Sequence, residues 1–226
     1  MDTRYIKNET MLSREENLSL REKRVAVAGC GGLGGHILEQ LARLGIGSIT
    51  AIDSDVFETS NLNRQLLSNV SNIGKPKVLA AEKHLKKINP DISITGIQAY
   101  IDESNAGLLL ADHDVICDAL DNMKTRLLLQ KYAAGLGIPM VHGAIAGWYG
   151  QVATIFPGDN TLESIYQGDS DKGIEQELGN PAFTPALVAS IEVSEVVKIL
   201  VKKGKLLRKS FLMINTLEQE YEIFGI

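Results

Sequence analysis

Two cysteines, Cys30 and Cys117, are all that the 226 residues contain. Two thiols cannot build a disulfide framework, and they supply at most half of a four-thiolate zinc site. An excess of basic residues is also missing: 23 Lys and Arg face 28 Asp and Glu, a formal net charge of −5. That balance speaks against a protein organised around duplex nucleic acid. The N-terminus, Met1-Asp2-Thr3-Arg4-Tyr5, runs into a charged stretch and lacks the basic-then-apolar build of a signal peptide, so a cytoplasmic protein is expected. No repeat, low-complexity tract or linker-like stretch divides the chain. Residues 132–158 carry no formal charge, yet glycines, two prolines, His142 and Gln151 interrupt them too often for a membrane helix. Buried strands account for that span.

What the chain has is 44% hydrophobic residues, enough for a buried core, in an alternation of short apolar runs and helical stretches. A charged surface helix is expected at about 9–21. Val25-Ala26-Val27-Ala28 reads as a strand ending in glycines, and Leu33, Ile37, Leu38, Leu41 and Leu44 mark a helix stopped by Gly45. Strands are expected at 48–52, 92–99, 114–117 and 139–144, with helices at 77–88, 103–110 and 122–136. This alternation implies βαβ units: an α/β, Rossmann-like, mostly parallel sheet flanked by helices. The pattern then changes to antiparallel strands. Residues 150–156 read as a strand, about 157–181 as a long polar crossover loop, 185–202 as a helix, and 211–214 with 221–224 as a hairpin. One domain, 1–226, is expected.

The sharpest local signal is Gly29-Cys30-Gly31-Gly32-Leu33-Gly34-Gly35, directly after the first strand and opening a helix. Gly29, Gly31 and Gly34 satisfy G-x-G-x-x-G, and with Gly32 they let the backbone turn tightly and approach a ligand. The helix N-terminus offers free N–H groups and a positive dipole end to phosphate. Asp53 follows about two dozen residues later at the end of the second strand, where a carboxylate binds ribose hydroxyls. Tight glycine packing alone would explain the glycines but not the acid. A nicotinamide cofactor is the default for this fingerprint. Ser60-Asn61-Leu62-Asn63-Arg64-Gln65, Gly74-Lys75-Pro76-Lys77 and Asp118-Ala119-Leu120-Asp121-Asn122 speak against it. Asn61, Arg64, Lys77 and Asp121 fall at the same sheet edge as the glycine turn. Two cations and an amide suit a triphosphate, and a carboxylate opposite them suits Mg²⁺. Singly, each has a plainer reading; Asp121, for instance, could N-cap the helix after it.

Those strings together resemble the ThiF/MoeB/HesA adenylyltransferases, relatives of the ubiquitin-activating enzymes. The likeness continues in Asn89-Pro90, Gly143-Ala144, Gly150-Gln151-Val152 and Pro185 with Ser190, Glu195 and Lys198, and runs from Arg4 to about Leu200. It implies an ATP- and Mg²⁺-dependent enzyme that activates the C-terminal carboxylate of a small ubiquitin-like sulfur carrier ending in Gly-Gly, of the ThiS or MoaD type, in thiamine, molybdopterin or related sulfur pathways. An acyl-adenylate forms and pyrophosphate leaves. By that resemblance Asp53, with Asp55 nearby, holds the ribose; Asn61, Arg64 and Lys77 contact the phosphates; and Asp121 binds Mg²⁺. A homodimer is implied, with a residue near the N-terminus reaching the partner's nucleotide. Lys7 stands where many relatives have arginine, with Arg4 as the alternative.

Departures from the family pattern sharpen the expectation. Where relatives carry the first of two C-x-x-C zinc pairs this chain reads Asn160-Thr161-Leu162-Glu163-Ser164, and no cysteine follows Cys117. No zinc is therefore expected. The crossover offers only Ser and Thr where some relatives place a cysteine, so adenylation without an enzyme thioester is expected. Cys30 reads as a small packing residue and Cys117 as core. His142 and Trp148 read as site lining or as ordinary core and surface positions, and Lys83, Lys86 and Lys87 as a solvated face. The alternatives are a tRNA-modifying member of the same family, against which the net charge weighs, a nucleotide-binding partner without catalysis, and a NAD-dependent dehydrogenase.

Overall fold

The computed structural model describes residues 3–166 and 175–226. A short 3-10 turn (Thr3–Asn8) leads into α1 (Arg14–Leu20), β1 (Arg24–Ala28), α2 (Gly32–Leu44), β2 (Ser48–Ile52), α3 (Lys77–Ile88), β3 (Ser93–Ile97), α4 (Ala106–Leu110), β4 (Val115–Asp118) and α5 (Met123–Leu136). Then follow β5 (Met140–Ala146), β6 (Tyr149–Ile155), α6 (Thr161–Ile165), α7 (Glu175–Leu178), α8 (Phe183–Val201), β7 (Ser210–Asn215) and β8 (Glu220–Gly225). The strands form one eight-stranded sheet in the order β3-β2-β1-β4-β5-β6-β7-β8. The five strands β3, β2, β1, β4 and β5 run parallel, and β6, β7 and β8 add antiparallel.

Parallel strands covered on both faces need apolar side chains on both faces. Val25–Ala28 and Val115–Asp118 are buried throughout. Val25, Val27, Cys117 and Val141 face a core built with α2, α3 and α8. Ala26, Ala28, Ile116 and Met140 face a second core with α4, α5 and α6. Each fully buried Val, Leu, Ile or Met side chain there is worth roughly 1.5–3 kcal/mol. No helix among the described residues is long and apolar enough to cross a membrane, and the uncharged 132–158 span forms the β5–β6 hairpin with its flanks.

Three expected elements change most, each for a local reason. The helix expected at 9–21 starts at Arg14, because Ser13 Oγ accepts from Glu16 N–H and the Glu16 carboxylate accepts from Ser13 N–H, a closed capping box. Thr10, at φ +82°, turns the chain just before it. The helix expected at 103–110 shrinks to α4, since Asp102 and Asn105 bond the backbone of Ser104 and Asp102 instead. The 157–181 segment, expected as a loop, contains α6 and α7. Leu162 N–H donates to Gln130 Oε1 (2.9 Å), which docks α6 on α5, and a five-residue helix is too short to show a period. Residues 167–174, the middle of that expected crossover, lie outside the described residues.

Helix α8 carries two buried glutamates with opposite fates. Glu195 accepts from Thr154 Oγ1 (2.5 Å) and Leu207 N–H (2.9 Å) and pairs with Lys198, pinning α8 to β6. Glu192 is fully buried against Gly143 of β5, and neither carboxyl oxygen has a hydrogen-bond partner among the described residues. Burial pushes its pKa well above the ordinary carboxylate range. The folded state thus holds a proton that the unfolded chain releases, so stability falls as pH rises above that range. Glu192→Gln removes this liability. Its melting temperature is expected to match wild type near pH 4.5 and to exceed it at pH 8 by roughly 2–10 °C, about 1–3 kcal/mol, in thermal melts across pH.

Candidate active site

β1 and β4 are neighbours, but the chain leaves β1 towards β2 and β4 towards β5. Such a switch of direction opens a crevice at the carboxyl ends of the strands. Here it is a cleft of about 490 Å³, walled by the β1–α2 turn, the end of β2, the 64–65 loop, the start of α3, residues 99–101 and the β4–α5 turn.

The β1–α2 turn is the floor. Gly29 sits at φ +97°, and a Cβ there would lie 2.5 Å from the Ala119 carbonyl oxygen. A Cβ on Gly34 would lie 1.8 Å from Gly29 O, so α2 packs flush on its own incoming turn. The N-cap is Gly31, which has no side chain to satisfy the first N–H groups of α2, and Gly31, Gly32 and Leu33 line the cleft. Those donors and the dipole end make an anion site.

Asp53 braces the turn. Its Oδ2 accepts from Cys30 N–H (2.6 Å) and its Oδ1 from Asp55 N–H (2.8 Å), leaving lone pairs facing the cleft. Lys77, at the first position of α3 and 6% exposed, pairs with Asp55 Oδ2 (2.8 Å). Arg64 is half-buried and held by Ser60 O (3.0 Å) and Asn63 Oδ1 (2.9 Å), both through Nη1. Across the cleft Asp121 is exposed. It does not cap α5: Asn122 does, accepting from Thr125 N–H (2.9 Å).

The structure thus brings Gly29, Gly31, Gly32, Asp53, Asp55, Arg64, Lys77 and Asp121 to one cleft. It does not bring Asn61 or Gly34 into the lining; Gly34 packs against Gly29 O instead. Asn61 Oδ1 accepts from Glu58 N–H (2.9 Å) and closes the turn that carries Arg64. Lys7 lies exposed on the N-terminal 3-10 turn, outside this chain's own cleft. Gln65, Tyr100, Arg126 and Asn180 also line the cleft, outside the set read from the sequence. Gln65 stood in plain view within the Ser60–Gln65 string, whereas Arg126 reads as one more polar residue of a helix.

A family model described as the ThiF family matches residues 5–226. The chain belongs to the ThiF family. It is 34% identical over 206 residues to the SAMP-activating enzyme E1 of Haloferax volcanii, covering 90% of this chain and 76% of that protein. It is 32% identical over 193 residues to the molybdopterin-synthase adenylyltransferase of Escherichia coli, covering 83% and 76%. A crystal structure of E. coli MccB with AMPCPP and MccA superposes with a TM-score of 0.84 at 22% identity, over 99% of this chain and 71% of that one. Another MccB structure, with ATP, is spanned to 66% of its length. At such identities the likeness concerns the fold.

As a ThiF-family site the cleft has no thiol nucleophile among the described residues. Cys30 and Cys117 are free and buried, and burial drives both thiol pKa values well up, with Asp53 adding to the effect at Cys30 and Glu192 at Cys117. Trp148 is half-exposed on the β5–β6 turn, while His142 is core. Among the described residues no group of three or more His, Cys, Asp or Glu is placed to hold a metal ion. Asp121, exposed in the cleft lining, suits Mg²⁺, which takes one or two carboxylates and completes its shell with phosphate and water.

Proposed function

We propose that this ThiF-family protein adenylates the C-terminal carboxylate of a small ubiquitin-like sulfur carrier ending in Gly-Gly. The observation that carries the reading is the placement of an uncapped helix N-terminus, Arg64 and Lys77 opposite Asp121 in one cleft. That is a triphosphate's charge pattern, and a dehydrogenase has no use for it. The names of relatives support the acceptor: a sulfur carrier protein adenylyltransferase of Thermus thermophilus is 33% identical over 213 residues, 89% of this chain and 78% of that protein.

Asp53 orients the ribose, and the α2 N-terminus, Lys77 and Arg64 hold the phosphates, Arg64 with a planar fork and Lys77 as a point charge. Bound at Asp121, Mg²⁺ would supply charge neutralisation on the phosphate oxygens. The carrier's carboxylate oxygen attacks the α-phosphorus, the bond from that phosphorus to the bridging oxygen breaks, and pyrophosphate leaves with the electron pair. Positioning and electrostatics suffice for such a transfer. With both thiols buried, the acyl-adenylate passes directly to a sulfur donor without an enzyme thioester.

One continuous sheet supports a single adenylation domain. A homodimer is supported by exposed apolar side chains at Ile6, Met11, Leu66 and Val70. Arg4 is engaged by Asn89 Oδ1 (2.5 Å) and Asp91 (2.7 Å) of its own chain, which leaves Lys7 as the cation for a partner's nucleotide. Free thiols and ATP use fit the cytoplasm. ATP–pyrophosphate exchange is the test: label is expected to enter ATP only with a Gly-Gly-terminated carrier present. Exchange driven by tRNA-derived substrates, and silence with every carrier, would overturn the reading.

A further inference from the structure

Beneath the β4–α5 turn a ring of hydrogen bonds closes on itself. Asp118 Oδ1 accepts from Leu120 N–H (3.1 Å). Leu120 O accepts from Arg126 twice, from Nε (3.1 Å) and Nη2 (2.5 Å). Arg126 Nη1 donates to the Tyr166 hydroxyl (3.1 Å), which lies 2.9 Å from His142 Nε2. His142 Nδ1 is 2.7 Å from Asp118 Oδ2 and completes the circuit. Asp118 and His142 are fully buried and Arg126 is 9% exposed.

The protons in this ring have one consistent arrangement. With Asp118 Oδ2 accepting, His142 Nδ1 carries the hydrogen, and Nε2, which also lies 3.3 Å from Gln151 Nε2, accepts the Tyr166 phenol proton. Tyr166 then accepts from Arg126 and from Gln151 Nε2. Burial keeps His142 neutral by lowering its pKa and pushes Tyr166 up to about 12, so neither group changes charge near neutrality.

Leu120 is therefore gripped at both backbone polar groups by side chains, and the next residue is Asp121. The direction in which the chain leaves Leu120 sets where that carboxylate stands. Tyr166 follows α6 at the start of the crossover, so the ring also joins the two segments. We infer that Arg126 is a positioning residue: with Tyr166 it fixes the β4–α5 turn so that Asp121 is presented to the cleft. The inference rests on the adenylation reading only for the activity readout below.

Two full-chain variants test it. Tyr166→Phe removes one hydroxyl and keeps the ring packing; Arg126→Lys keeps the charge and loses the double hold on Leu120 O. In both, backbone amide exchange at Leu120 and Asp121 is expected to speed up about tenfold, the loss of one good hydrogen bond. ATP affinity without Mg²⁺, measured by calorimetry, is expected to stay at the wild-type value, while the gain on adding Mg²⁺ shrinks about tenfold. The kcat for exchange is expected to fall 10–100-fold, on the order of a displaced reacting group, with KM for ATP in the presence of Mg²⁺ rising by no more than the lost Mg²⁺ gain. Lysine is not expected to rescue. A lowered melting temperature with wild-type amide exchange at Leu120, Mg²⁺ gain and kcat would reduce the ring to core packing and overturn the inference. If wild-type protein shows no exchange with any carrier, the adenylation reading fails separately, and amide exchange decides for the ring.

Discussion

Asp121→Ala is expected to yield a folded protein whose carrier-dependent ATP–pyrophosphate exchange is lower by roughly 10³-fold, the scale on which single charge-stabilising groups act in phosphoryl transfer. The fold should tolerate the change, because Asp121 is exposed and the cap of α5 is Asn122. Surface substitutions of that kind stay within about 0.5 kcal/mol of wild type. Activity and stability thereby separate, which they would not at Asp53, whose carboxylate also braces the glycine turn. Asp121→Asn, similar in shape but neutral, should lose nearly as much, since what the site uses is charge. Exchange at the wild-type rate in a folded Asp121→Ala protein would remove this residue from the reaction. Arg64→Ala is expected to behave alike, with a larger rise in KM for ATP, since the proposed role of its fork is to hold the phosphates.

Gly34→Ala is the expected counterpart, a change of one methyl group that the turn cannot admit. The new Cβ would lie 1.8 Å from Gly29 O and 2.7 Å from Gly29 C, both backbone atoms. Gly29 in turn lies against Ala119 O, so neither strand exit has room to retreat. Relief requires α2 to lift off β1, at a cost of about 3 kcal/mol or more, the upper end of overpacking effects. The donors of the α2 N-terminus would move with it. The expected result is a melting temperature lower by roughly 6–12 °C and no ATP binding detectable by calorimetry at millimolar nucleotide. Gly137→Ala is the control: unlike Gly34 it has a positive φ (+74°), but nothing lies within 4 Å, so it should be mildly destabilising and bind ATP normally.

Much of this site was legible in the sequence because its parts are punctuated locally. Gly29 to Gly35 announces a strand-to-helix turn by composition alone. The helix expected at 77–88 puts Lys77 at its head, and α3 begins there. What escaped depends on partners far along the chain. Asn61 and Arg64 sit three residues apart in one polar string, and only the fold shows that the first closes a turn while the second faces the cleft. Arg126 owes its role to Tyr166, which the sequence places inside an unpatterned stretch. Glu192 sits among helical apolar residues where charge would ordinarily point outward, and periodicity cannot say that α8 is covered on that side as well.

The adjacency of β1 and β4 has a consequence for the order in which the protein comes into being. Val25 pairs with Val115, and the segments between them must be made before that pairing exists. At the usual pace of ribosomal synthesis, about 5–20 residues per second, the glycine turn emerges roughly 5–20 s before the strand that completes its wall. Until then the nascent chain has the glycine turn without a cleft. Nucleotide capture marks the closing of the sheet, and a ribosome stalled ahead of residue 115 would carry a chain blind to ATP.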